Sequence, residues 1–242
     1  MTTTEAISEY MRSVDRFFRG GNGGVYSAIA EIVHWSLSLD SHDKDLLCNE
    51  LLRLIAVQDE MWGVAVEVLL YIQQSAPRNA AIPSRLASLL NDENHTEEWE
   101  ADILLALMRL SYQPIAERAL DHITRRLAAG DRSALSMLAA LSRVDAEKCL
   151  EIATRVFIDT CRKGQLDKRY NSISAFVDDC LDVDRSLLIR FIRNIHAADK
   201  AAGQEIAEIV REYIGRSFMR EKLGDELHES LERDVLSACS EE

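Results

Sequence analysis

The string Asp178-Asp179-Cys180-Leu181-Asp182 sets three carboxylates within about one and a half helical turns. Carboxylates at this spacing suit magnesium, a hard cation that takes oxygen ligands and bridges them to the phosphate oxygens of a diphosphate. Such a centre needs a second acidic set facing the first. Residues 1–170 contain no adjacent aspartates, and the sixty residues after Asp182 contain no N-D-x-x-S-x-x-x-E string. Without that partner the carboxylates read as a helix end and a turn, with Asp184 capping the helix that follows.

The D-D-x-x-D pattern resembles the motif of terpene cyclases and prenyl-diphosphate synthases, which would imply an all-helical, magnesium-dependent enzyme. This chain is short for those folds and lacks their second motif, so the resemblance stops at the string itself.

The most acidic window is Asp92-Glu93-Asn94-His95-Thr96-Glu97-Glu98-Trp99-Glu100-Ala101-Asp102, with six carboxylates and no Lys or Arg. An acidic rim can receive the cations of a basic protein, with one aromatic as anchor. Asp92, Glu93, Glu97, Glu98, Trp99, Glu100 and Asp102 are therefore the candidate partner-binding residues. The competing explanation is local: Thr96 is a plausible N-cap, and acids in a first turn complement the helix dipole. Asp40, Asp43, Asp45, Asp59 and Glu60 form a second acidic strip around neighbouring turns, with the same two explanations.

Other chemistry-bearing residues form no constellation. Gly20-Gly21-Asn22-Gly23-Gly24 has no downstream Gly-Lys-Ser/Thr, so it reads as a joint and not as a phosphate cradle. The six histidines include no HExxH pair, since His228-Glu229 runs on into Ser230-Leu231-Glu232. The five cysteines, Cys48, Cys149, Cys161, Cys180 and Cys239, contain no CxxC and fall mostly on apolar helical faces, as reduced core residues do. Trp35, Trp62 and Trp99 read as helix-packing residues, Trp99 thus carrying two readings. No catalytic, cofactor-binding or metal-binding residue is assigned.

Charge narrows the partner. The net is −13, unevenly placed: residues 1–121 hold 9 Lys and Arg against 19 Asp and Glu, and residues 122–242 hold 19 against 22. Nucleic-acid binding draws most of its affinity from cationic contacts with phosphates, so nucleic acid is a poor expectation and a basic protein a better one. No apolar run approaches the length of a membrane span, and the start Met1-Thr2-Thr3-Thr4-Glu5 lacks the features of a signal peptide. The expected location is cytoplasmic, with no membrane partner.

These residues must be positioned by helices. Ten glycines and three prolines in 242 residues leave few breakers, which favours helices over a sandwich or barrel. Thr2 and Glu5 fit a capping box, and Ile7, Met11, Val14, Phe17 and Phe18 follow at helical spacing. Helices are expected at Val25–Leu39 (Ile29, Ile32, Val33 and Leu37 inward), Asp45–Val57 and Met61–Ser75, then a break at 77–83 and a short helix to Leu90. Between Thr96 and Lys163 two hairpins look alike: Leu104, Leu107, Leu110 and Ser111 match Leu135, Leu138, Leu141 and Ser142. After a turn, Ala116, Ala119, Leu120, Ile123 and Leu127 match Ala146, Cys149, Leu150, Ala153 and Phe157. A third hairpin turns at Asp182-Val183-Asp184, and helices at Ala202–Arg216 and about Lys222–Ala238 close a set of about thirteen.

This alternation, with its A-L-x-x-L-S helix ends, resembles the HEAT-like repeat superfamily over residues 96–163 and loosely over 41–75 and 169–197. The resemblance implies an all-α, right-handed α-solenoid of stacked antiparallel hairpins, read here as one domain over 1–242 with a joint at 20–24. Such folds bind partners more often than they catalyse. The function expected is a non-enzymatic protein-binding module, most concretely an acidic inhibitor such as a bacterial immunity protein that neutralises a basic toxin domain. The alternatives are a HEAT-like DNA glycosylase, disfavoured by the acidic balance, and an adaptor subunit of a larger assembly.

Overall fold

The computed structural model describes residues 3–21, 24–75, 81–92, 94–131, 134–166 and 170–239. Among them the chain forms fourteen α-helices and one 3-10 turn, with no strand. None of the helices is long and apolar enough to cross a membrane. Thr2, Asn22, Gly23, Glu93 and residues 76–80 lie outside the described residues, and with them one capping-box partner and parts of the expected joint and break.

The chain divides into two compact units, residues 1–115 and 116–242. The first holds α1 (Thr3–Arg19), α2 (Gly24–Leu37), α3 (Ser41–Ala56), α4 (Trp62–Ser75), α5 (Ala81–Leu89), α6 (Glu97–Arg109) and the 3-10 turn Gln113–Ile115. Helices α1, α3 and α5 pack side by side, as do α2, α4 and α6, and each of α1, α3 and α5 packs on its successor. The apolar faces explain this: Ile7, Met11, Ile32, Leu51, Ile55, Val68, Leu69, Leu104 and Leu107 are all buried. Phe17 and Leu37 were expected inward but are 74% and 57% exposed, because each stands in the last turn of its helix.

Helix ends in this unit are set by local chemistry. Asp40 caps α3, its carboxylate accepting from the Asp43 amide, so the helix opens four residues before the expected Asp45. Helices α3 and α6 both end through a left-handed residue, Gln58 at φ 49° and Ser111 at φ 56°. In each, the amide after that residue reaches back five positions, Asp59 to the Leu54 carbonyl and Tyr112 to the Leu107 carbonyl, both at 3.0 Å. This is the Schellman closure.

The second unit holds α7 (Ala116–Ala128), α8 (Ala134–Leu141), α9 (Ala146–Arg162), α10 (Tyr170–Val183), α11 (Arg185–Ala198), α12 (Lys200–Ile214), α13 (Ser217–Leu223) and α14 (Asp225–Ala238). Here α8 packs on α10, α9 on α11, and α12 on α9, α10 and α11. Phe157, Phe176 and Phe191 meet at the centre, with ring centroids 4.6–5.9 Å apart. Asp145 and Asp184 cap α9 and α11 through the amides of Lys148 and Ser186, the second as the sequence led us to expect. A single residue, Asp199, both ends α11 and caps α12. The first of the two look-alike segments straddles the division between units, and the second lies wholly in this one. Their endings differ: Ser111 is left-handed, whereas Ser142 is not.

Candidate partner-binding surface

The acidic window is built around the start of α6. Thr96 is extended (φ −76°, ψ 156°), and its hydroxyl accepts from the Trp99 amide at 3.2 Å. Glu97, Glu98 and Glu100 follow in the first turn, where a carboxylate faces the positive end of the helix dipole. Glu97, Glu98 and Asp102 are exposed, and Glu100 is half-buried. Neither the Glu97 nor the Glu98 side chain has a hydrogen bond or ion pair with another described residue.

Trp99 is not a surface anchor. Its side chain is 2% exposed, and its indole Nε1 donates to the Ile55 carbonyl at 2.9 Å. The ring is closed off by His95, with centroids 4.9 Å apart. His95 in turn contacts the Asp92 carbonyl through Nδ1, and its Nε2 lies 3.9 Å from a Glu100 oxygen. Asp92 is exposed and accepts from the Asn94 amide at 3.0 Å, which tightens the turn. The helical register carried the signal: Trp99, Ile103 and Leu107 recur at i, i+4, i+8, on the stripe that goes inward.

The second acidic strip separates into two places. Asp40, Asp43 and Asp45 lie at the start of α3, and Asp59 and Glu60 lie beyond its end, with a helix of about 24 Å between them. Asp59 is engaged, by Arg12 Nη2 at 2.9 Å and by the Met61 amide at 3.1 Å. Glu60 is exposed. The Gln58 side chain donates to the Asn94 carbonyl at 2.8 Å, so the turn holding Glu60 abuts the loop that leads into α6. Residues 1–115 hold 8 Lys and Arg against 17 Asp and Glu, a net of −9.

The three aspartates of the D-D-x-x-D string are fully engaged within the second unit. Asp178 accepts from the Tyr213 hydroxyl at 2.5 Å and from Lys222 at 3.3 Å. Asp179 pairs with Arg143 at 3.2 Å. Asp182 lies 3.4 Å from Arg143 and 3.2 Å from Lys222. Two cations and a phenol thus hold the carboxylates where a metal would need them open. Arg143, Tyr213 and Lys222 are 35 to 44 residues away in sequence from the aspartates they hold, and no local pattern announces them.

Most of the thiols and one histidine are packed into the helices. Cys48, Cys149 and Cys180 are buried, and Cys161 and Cys239 are half-buried. Burial pushes the Cys149 thiol up to about 12, with Asp179 and Asp145 adding to it, and pushes Cys48 and Cys161 up to about 11. Cys180 is raised for the same first reason. Thiols so placed stay protonated and unreactive. His228 is buried and donates from Nε2 to the Ile214 carbonyl at 2.9 Å, so it packs α14 against the end of α12. Among the described residues no three His, Cys, Asp or Glu are grouped to hold a metal ion. A groove of about 780 Å³ between α7 and α9 is lined by Leu127, Val156 and Ile158, with Arg155 and Arg162 balanced by Glu151 and Asp159.

Compared with known proteins, the chain matches no protein-family model, no curated protein and no solved structure. What the geometry defines on its own is an all-α protein of packed helices with an acidic first unit.

Proposed function

We propose that this protein is a binding module and not an enzyme, and that it takes a basic protein on the acidic end of its first unit. The observation that carries the reading is the row of exposed carboxylates at the start of α6, where Glu97 and Glu98 have no described cation beside them, in a unit of net −9. Opposed fields speed encounter and favour the right partner over wrong ones. The scaffold proposed is the right-handed, HEAT-like solenoid that the sequence resembles, and the side-by-side packing of α1, α3 and α5 and of α2, α4 and α6 supports its stacking of hairpins. Its most concrete form is an inhibitor of the immunity-protein kind, which neutralises a basic toxin domain in the cytoplasm. Trp99 has no part in the contact, and Asp92, Glu97, Glu98, Glu100 and Asp102 remain as its acidic surface.

The test is paired capture from the native cell, with the wild-type chain and a Glu97→Lys, Glu98→Lys, Asp102→Lys chain as baits. A basic protein retained by the first and lost by the second supports the reading. Equal retention by both removes the acidic surface from it. A second reading, an adaptor in a larger assembly, is favoured by the exposed aromatic rings of Phe17 and Tyr26, at 74% and 83% exposure.

A further inference from the structure

The seven-residue helix α13 is attached unlike any other element of its unit. It has one buried residue, Met219, whereas α12 and α14 on either side each bury several. No side chain caps its start at Arg216, and it ends at Gly224, whose φ of 78° is a left-handed conformation that suits glycine. Its hold on α10 is the ammonium of Lys222, shared between Asp178 at 3.3 Å and Asp182 at 3.2 Å. All three side chains are partly open to solvent, at 37% to 46% exposure. Phe218, itself 46% exposed, leans edge-on against Tyr213 with centroids 5.6 Å apart. Helix α14 touches α13, but it also packs on α11 and α12 and buries His228, Leu231, Val235 and Ala238, so its docking has a hold beyond the strap.

A segment with one buried side chain, one half-exposed ring contact and two screened ion pairs, Lys222 to α10 and the looser Arg220 to Asp225 of α14 at 3.9 Å, sits at the low end of local stability. We propose that α13 is a strap that opens by local unfolding while α10, α12 and α14 stay folded, with Lys222 on Asp178 and Asp182 as a clasp that ionic strength loosens. Opening uncovers Tyr213, which is 6% exposed with the strap closed, and the Asp178 carboxylate bound to its hydroxyl. The strap concerns the second unit and stands apart from the acidic surface of the first.

Amide hydrogen exchange on the full chain tests this at low and at high salt. Residues 220–223 should exchange far faster than the cores of α12 and α14. Raising the salt should speed them by roughly threefold to fivefold, the scale of a partly exposed ion pair. Lys222→Met should speed them at low salt and remove most of the salt effect, leaving the small part due to Arg220 and Asp225, while Lys222→Arg should restore both. Met219→Ala should speed exchange at every salt concentration without removing the salt effect. Protection in α13 equal to that in α12 and α14, or an unchanged salt response in Lys222→Met, overturns the proposal.

Discussion

At the scale of single residues, Gly203 shows how closely two helices can be drawn together. A Cβ at this position would stand 2.5 Å from the His196 Cα and 2.9 Å from its amide nitrogen, both backbone atoms that cannot turn aside. Gly203→Ala should therefore force α11 and α12 apart, and overpacking of this kind costs about 1–3 kcal/mol even after the better helix propensity of alanine. Thermal or denaturant unfolding would register it, and an unchanged midpoint would contradict the close approach. Trp99→Ala should cost about 3–5 kcal/mol, the price of emptying a large buried aromatic site. Glu50 offers a pH test. Burial acts to raise its carboxyl, but hydrogen bonds from Arg53 and Ser8 and the charges of Arg53 and Arg12 outweigh this, so its pKa lies below the ordinary value. A carboxyl lowered on folding stabilises above its unfolded pKa, and that stability is lost as pH falls through the folded value. Glu50→Gln should thus flatten the acid limb of the stability profile, and an unaltered limb would show that other carboxylates set it.

At the scale of elements, periodicity carried most of what the sequence could tell. The helices at 62–75 and 81–89 end within a residue of where they are expected, and those at 170–183 and 185–198 meet at the expected turn, because their apolar stripes are regular and their turns are recognisable. Where this signal thins, so did the reading. Seven residues are too few to show a 3.6-residue period, so the sequence shows no separate helix between Arg216 and Lys222, where α13 lies. Trp99 carried two readings because three glutamates around it dominate the composition of its window, although its register with Ile103 and Leu107 points inward. The partners of Asp178, Asp179 and Asp182 arise only from packing. These aspartates belong to a structural network, so Arg143→Ala should destabilise the second unit by about 1–2 kcal/mol, between the values of an exposed and a buried pair. A thermal scan of that variant checks it, and an unchanged transition would free Asp179 and Asp182 for another role.

At the scale of the whole molecule, the two units differ in charge more than in construction. Both are layers of helices packed on neighbours close in sequence, which is why the all-α class was legible from breakers and periods alone. Function was far less so, because a binding surface needs exposure and charge but no motif. On the proposed function, the carboxylates at the start of α6 steer a basic partner. Stopped-flow association of the captured partner, across a range of salt, tests it most directly. With the wild-type chain the rate constant should fall steeply as salt rises. With Glu97→Lys, Glu98→Lys and Asp102→Lys together it should start roughly tenfold lower and change little. Equal rates and equal salt slopes for the two chains would contradict the claim, and would leave those acids as no more than the capped start of a helix.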